Sequence, residues 1–187
     1  MRIVGGLYKG RTITAPKGRT TRPTSDRARE AIFNILDHAE WAPPMVGSRV
    51  LDLFAGSGGL GLEALSRGAA FCLFVDSEAG ARAAIHENIQ TLKLFSQTSL
   101  HRKDATAMGS KPASMAEPFD LIFLDPPYGS GLGEKALGKL LSGKWVAEDA
   151  VAMLEVGIQE KPETPGWIVA NEREYGAAKV IFLERDN

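Results

Sequence analysis

Between Leu51 and Ala64 the chain reads LDLFAGSGGLGLEA: an apolar run, a break carrying Gly56, Gly58 and Gly61, and a second apolar run at helical spacing. Glycines in the pattern G-x-G-x-x-G between a strand and a helix serve a tight turn, close approach of backbone to a ligand, and close packing of helix on strand. The feature ties the chain to sheets in which a parallel strand runs into a glycine loop and then a helix. All three uses are open to any nucleoside cofactor, so the pattern leaves the choice of cofactor undecided.

The rest of the chain agrees with such a sheet, because short β-rich runs alternate with helix-like ones from Leu51 onward. Arg49 to Ala55 is expected as the first strand and Leu60 to Arg67 as the first helix, stopped by Gly68. Ala70 to Asp76 is the second strand, Ser77 the cap of a helix with Ala81, Ile85, Ile89 and Leu92 on one face. Ser99 to Asp104, Phe119 to Leu124 and Ala150 to Val156 are the next strands, with a short helix at Glu134 to Leu141 before the last. Trp167 to Glu174 and Lys179 to Glu184, joined by Tyr175, Gly176 and Ala177, have hairpin spacing. A plain dinucleotide fold continues with parallel strands instead.

The front differs in character. Arg2 to Ala15 is expected as a hairpin turning near Lys9 and Gly10, followed by a polar loop. A helix then starts at Thr24 or Ser25, with Ala28, Ile32, Ile35 and Leu36 inward, and stops before Pro43 and Pro44. We therefore expect a front unit over residues 1–45 and a sheet domain over residues 46–187. Residues 1–29 carry eight basic residues and one acid, a net +7, which leaves −8 on the remainder of a chain whose total is −1. A basic segment on a near-neutral protein suits a polyanion partner, since it can displace counterions from phosphates.

At 187 residues, 44% hydrophobic and 24% charged, the chain suits one ordinary globular domain with a small appendage. It has no apolar run of about 20 residues to span a membrane. The start lacks the apolar stretch of a secretory signal, and Cys72 is the one cysteine, so a reducing cytoplasm is the expected compartment. Cys72 sits mid-strand among Phe71, Leu73 and Phe74 and reads as core. His38, His86 and His101 are too scattered for a metal site.

Charge decides between cofactors. A dinucleotide brings a pyrophosphate to the helix N-terminus, where amides favour anions and carboxylates do not. S-adenosylmethionine brings a sulfonium and an ammonium, and no phosphate. Asp52, in the strand entering the loop, suits that cation directly or through hydrogen-bonded backbone. Asp76, about 20 residues beyond the loop at the end of the next strand, is placed for ribose hydroxyls. Asp104 serves either the adenine amino group or a turn.

Asp125-Pro126-Pro127-Tyr128 follows the strongest strand. In a sheet that reverses order after its first strand, the fourth strand lies beside the first, and their carboxyl ends flank one crevice. The prolines make a rigid bend without N–H groups. This arrangement suits methylation of an exocyclic amine on a base or an amide, whose lone pair is delocalised. The Asp125 carboxylate and Pro126 carbonyl would accept the two N–H hydrogens and turn the lone pair toward a methyl donor, while Tyr128 stacks on the planar group.

On these residues the chain resembles the RsmD family of bacterial 16S rRNA guanine-N2 methyltransferases, within the class I S-adenosylmethionine-dependent methyltransferases. The resemblance is carried by RIVGGLYKGR, RPTSDRAREAIFNIL, LDLFAGSGGLGLEALSRGA, DPPY and EREYGAAKV. It implies a Rossmann-like α/β fold with a seven-stranded sheet ending in an antiparallel hairpin. It also implies S-adenosyl-L-methionine held near Asp52, Phe54, Ala55, Gly56, Ser57, Gly58 and Asp76, and a guanine N2 presented to Asp125 through Tyr128. Arg19, Arg22 and Arg27 would belong to the surface for 16S rRNA or the small ribosomal subunit, with Arg22 and Thr24 in a lid over cofactor and base. Asp76 stands where many relatives carry glutamate, and either can hold ribose hydroxyls. No metal is expected, and a monomer is.

Three alternatives stay open on sequence alone. One is an amine methyltransferase acting on DNA adenine or cytosine or on protein glutamine, another a nicotinamide oxidoreductase, and the third a non-catalytic RNA-binding module.

Overall fold

The computed structural model describes residues 1–16, 25–115 and 117–186. Its centre is one seven-stranded sheet in the order β3-β2-β1-β4-β5-β7-β6. The strands are β1 (Arg49–Leu53), β2 (Phe71–Val75), β3 (Thr98–His101), β4 (Phe119–Leu124), β5 (Val146–Gly157), β6 (Trp167–Tyr175) and β7 (Ala178–Arg185). The first five run parallel, and β7 inserts antiparallel between β5 and β6. The seven strands and the closing hairpin agree with expectation. Its tight turn at Gly176, φ +65°, uses a left-handed conformation that glycine adopts without cost.

The helices are α1 (Asp26–His38), α2 (Gly59–Ser66), α3 (Ala79–Leu92) and α4 (Leu132–Ser142). Strands buried on both faces read as continuous apolar runs; β2 does so throughout, and β1, beyond Arg49, and β4 do so apart from Asp52 and Asp120. On one face Val50, Cys72, Phe74, Leu121, Phe123 and Phe182 pack with Ile32, Phe33, Leu36, Leu62, Ile85 and Ile89 of α1, α2 and α3. On the other, Leu51, Leu53, Leu73, Val75 and Leu124 pack with Ala136, Leu137 and Leu140 of α4. Cys72 is buried core, as expected. Among the described residues, no helix is long and apolar enough to cross a membrane.

The front packs on this core. Ile3 and Ile13 join the same apolar cluster as α1. The expected hairpin is present as a single antiparallel bridge, Arg2 with Thr12, closing a turned segment. Other polar groups of this segment bond to α2: Leu7 N–H donates to the Ser66 carbonyl at 2.7 Å, Tyr8 N–H to Ser66 Oγ at 2.9 Å, and Val4 N–H to Glu63 Oε2 at 2.9 Å. Ser25 caps α1 by accepting from Ala28 N–H at 3.1 Å. Two residues of α1 not expected inside are buried: Phe33, beside Phe123, and Arg29, which donates to Asp26 Oδ1 at 2.9 Å.

Several boundaries differ for local reasons. The cap of α3 is Glu78 rather than Ser77, because Asp76 Oδ1 accepts the Glu78 N–H at 2.8 Å and turns the chain first. β3 stops at His101, and Asp104 opens a 3-10 turn at Ala105–Ala107 by accepting from Thr106 N–H at 2.8 Å. α1 ends at His38, ahead of the prolines, and the chain then lays Trp41 against Phe182, ring centres 5.4 Å apart.

Candidate active site

Five parallel strands carry their carboxyl ends to one edge of the sheet, and the candidate residues follow from that. Leu53 of β1 pairs with Val75 of β2 and with Leu124 of β4, and Leu124 pairs with Leu154 of β5. The loop after β1, Asp76 after β2, Asp125 after β4 and Glu155 on β5 are therefore neighbours, with the β1–β4 junction as the point where strand order reverses. Asp104, beyond β3, stands at the outer end of the same edge.

The loop's backbone is unusual from its first residue. Phe54 has φ +57°, a conformation costly for a side chain of that size, and Gly56 (φ +58°) and Gly58 (φ +76°) continue the turn. Ala55 N–H bonds to the Val75 carbonyl at 3.3 Å, and Gly58 N–H to the Ala55 carbonyl at 2.7 Å. Asp76 bridges the two loops: Oδ2 accepts from Gly56 N–H at 2.9 Å while Oδ1 takes Glu78 N–H. Each carboxylate oxygen has a second lone pair for a hydroxyl. Ser57 lends its carbonyl to Asn88 Nδ2 at 3.0 Å, which fixes the loop from the α3 side. Gly61 is the packing glycine, since a Cβ there would lie 2.4 Å from Phe74 Cε1 and 2.5 Å from Cys72 Sγ.

Asp52, two residues beyond Val50, shares its face of β1 and so faces α2, where it is 2% exposed. Its Oδ2 accepts from Gly61 N–H at 2.9 Å, which is the backbone route to the loop and not a direct one. Burial pushes the Asp52 carboxyl well above the usual carboxylate range; the Gly61 amide opposes this, and the nearby charges of Asp125 and Asp76 add to it. Asp52 thus feels both of the other acids across this edge. Asp104 uses Oδ1 on Thr106 N–H and on Thr106 Oγ1 at 2.7 Å, bonds that hold its carboxyl below the usual range.

In the Asp125–Tyr128 segment Pro126 is buried, Asp125 is partly buried and Pro127 is exposed. Tyr128 is 49% exposed, yet its hydroxyl donates to Glu155 Oε1 at 2.6 Å. Partial burial holds the phenol well above its ordinary pKa, and the bond to Glu155 and the charges of Glu155, Asp125 and Glu160 add to this. Glu155 is 4% exposed, a buried acid in a strand, and was not among the expected site residues. Its one sequence signal is an acid inside the apolar run AVAMLEV, where charged residues are rare unless paired.

The edge is acidic: Asp52, Asp76, Asp125 and Glu155 form it, with Asp104 outside. Two cations stand at its rim. Arg82 Nη1 donates to the carbonyls of Asp76, at 3.2 Å, and Ser77, at 2.6 Å, while the charge of Lys135 reaches Asp104. These acceptors suit a ligand with positive charge and hydroxyls, and suit a pyrophosphate poorly. No cluster of three metal-ligating side chains occurs among the described residues. A cavity of about 660 Å³ lies elsewhere, at the start of β1, lined by Leu36, Pro43, Met45 and Val46 with the Asp37–Arg67 ion pair. It lacks the convergent polar groups of a ligand site.

Of the expected RNA-contacting residues, Arg27 lies in the first turn of α1 and is exposed. Arg19, Arg22 and Thr24 fall outside the described residues.

Comparison with known proteins adds an independent line. A family model described as conserved hypothetical protein 95 matches residues 1–184. YlbH of Bacillus subtilis, a putative rRNA methyltransferase by name, is 38% identical over 187 residues, 99% of both chains. Ribosomal RNA small subunit methyltransferase D of Escherichia coli is 32% identical over 188 residues, covering 100% of this chain and 90% of that one. The solved structure of the Escherichia coli protein yhhF superposes with a TM-score of 0.82 at 32% identity, over 100% of this chain and 98% of that one.

Proposed function

Since the chain belongs to the conserved hypothetical protein 95 family, which its relatives tie to rRNA methylation, we propose that it transfers a methyl group from S-adenosylmethionine to the exocyclic N2 amine of a guanine in small-subunit (16S) ribosomal RNA. The observation that carries the reading is the acidic edge, where the glycine loop, Asp76, Asp125 and Tyr128 meet at the β1–β4 junction.

S-adenosylmethionine supplies, when bound, a methyl group on a positively charged sulfur. The residues for holding it are Phe54 to Gly58 and Asp76, with Asp52 acting through the Gly61 amide and Asp104 at the adenine end. Asp76 offers its remaining lone pairs to ribose hydroxyls. The chain's own contribution to chemistry is orientation. Asp125 and the Pro126 carbonyl accept the amine hydrogens, so that the nitrogen lone pair points away from the ring plane, and Asp125 can take the proton that the alkylated amine sheds. Tyr128 offers its ring face to the guanine while Glu155 keeps the phenol from turning.

The division at residue 45 is one of role: the front, with Arg19, Arg22, Thr24 and Arg27, serves RNA, and residues 46–187 serve cofactor and chemistry. The acids at the glycine loop favour this reading over a nicotinamide enzyme, and the relatives' names favour rRNA over DNA or a protein amide. The test is Asp125→Ala. It should abolish methyl transfer to small-subunit rRNA while leaving S-adenosylhomocysteine affinity within about tenfold, or 1.4 kcal/mol. Retained transfer removes Asp125 from the chemistry. Tight NADH binding by the wild type with none of S-adenosylhomocysteine overturns the reading itself.

A further inference from the structure

Asn88, on the inner face of α3, is 2% exposed and divides its amide between two segments far apart in the chain. Oδ1 accepts from Thr14 N–H at 2.7 Å, and Nδ2 donates to the Thr14 carbonyl at 2.9 Å and to the Ser57 carbonyl at 3.0 Å. Both backbone polar groups of one front residue and one carbonyl of the glycine loop are thus satisfied by a single buried side chain. Thr14 Oγ1 adds a bond to Glu87 Oε1 at 3.1 Å, the neighbouring residue of α3. On its other flank the loop is held by Asp76 through Gly56 N–H. Thr14 lies three residues ahead of Lys17, where the basic stretch KGRTTR begins.

A buried amide in this position couples what it joins. If either segment shifts, a donor or acceptor is left unpaired away from water, which is far costlier than making the bond is rewarding. Ordering one segment therefore favours the arrangement that the other needs.

We propose that Asn88 is a positioning residue that couples cofactor binding to RNA binding, by holding the loop at Ser57 and the front at Thr14, just ahead of the basic stretch KGRTTR, in one register. The proposal rests on the reading of the loop as the S-adenosylmethionine cradle and of the front as the RNA surface. Linkage makes the effect reciprocal: RNA tightens cofactor binding by the same factor by which cofactor tightens RNA binding. A purely structural role for Asn88 would affect stability and leave that factor unchanged.

The experiment measures S-adenosylhomocysteine affinity of the full chain by calorimetry, alone and with saturating small ribosomal subunits from cells lacking this protein, or with the rRNA extracted from them. For the wild type, subunits or rRNA should raise the affinity by about fivefold or more. Thr14→Pro removes the N–H that Asn88 Oδ1 accepts and the hydroxyl bonded to Glu87, and leaves the bond to Ser57; its affinity without RNA should stay within about twofold of wild type, while the enhancement falls below about twofold. Asn88→Ala should weaken S-adenosylhomocysteine binding by itself and abolish the enhancement. Asn88→Asp, which keeps the acceptor and loses both donations, should not restore it. Either of the first two variants decides the matter if the other fails to fold. An enhancement that persists undiminished in a folded variant overturns the proposal, as does a wild type that binds RNA with no change in cofactor affinity. A wild type that binds neither subunits nor rRNA sinks the functional reading, and the proposal with it.

Discussion

At the scale of single residues, Tyr128 brings the site's two demands together. Half its surface is open and its hydroxyl is anchored on buried Glu155, so in the proposed reaction the ring would be oriented before a base arrives. Such pre-ordering lowers the entropy cost of binding. Tyr128→Phe keeps the ring and loses the anchor; kcat/KM for methyl transfer should fall by about tenfold, or 1.4 kcal/mol. Tyr128→Ala also loses stacking, worth about 1–3 kcal/mol per base, and should fall well below the phenylalanine variant. Equal activities for the two variants would remove stacking from the account. Asp125 and Tyr128 could be proposed from sequence because D-P-P-Y is contiguous and follows a strong strand. Glu155 was not, because its role depends on β5 lying beside β4, a pairing that no local spacing records. The same holds for Asn88, whose partners are 74 and 31 residues away.

At the scale of elements, the β1–α2 unit rests on Gly61, the third glycine of the pattern, which lies in the first turn of α2. Gly61 lets α2 approach β2 so closely that a methyl group would meet Phe74 and Cys72, both buried. Gly61→Ala should destabilise the fold by about 1–3 kcal/mol and lower Tm by about 2–4 °C for each of these, read by thermal unfolding. An unchanged Tm would mean that α2 can lift away at no cost. Element identity was legible where the apolar pattern is strong, and β4 matches its expected limits of Phe119 and Leu124. Boundaries were less so where a side chain competes with the backbone. Asp76 moved the cap of α3 from Ser77 to Glu78, and Asp104 cut β3 short, each by taking a backbone N–H two residues on. The front hairpin kept a single bridge because α2 offers Ser66 and Glu63 to its amides, a tertiary partner absent from any local window.

At the scale of the whole molecule, charge is sorted in space and in sequence. Carboxylates gather at the carboxyl edge of the sheet, while residues 1–29 carry a net +7. That division suits a cationic cofactor beside a polyanionic substrate, and net charge alone, at −1, conceals it. Replacing Arg19, Arg22 and Arg27 together with alanine should weaken RNA binding and reduce the slope of log affinity against log salt by about 2–3, close to one unit for each phosphate that an arginine no longer neutralises. An unchanged slope would take the front off the RNA surface. The central claim, that this chain methylates N2 of a guanine in small-subunit rRNA, is tested most directly by mass analysis of nucleosides from that rRNA, taken from cells lacking the protein and incubated with it and isotopically labelled S-adenosylmethionine. Label is expected in N2-methylguanosine and in no other nucleoside; label in adenosine or cytidine, or none in the rRNA, would contradict it.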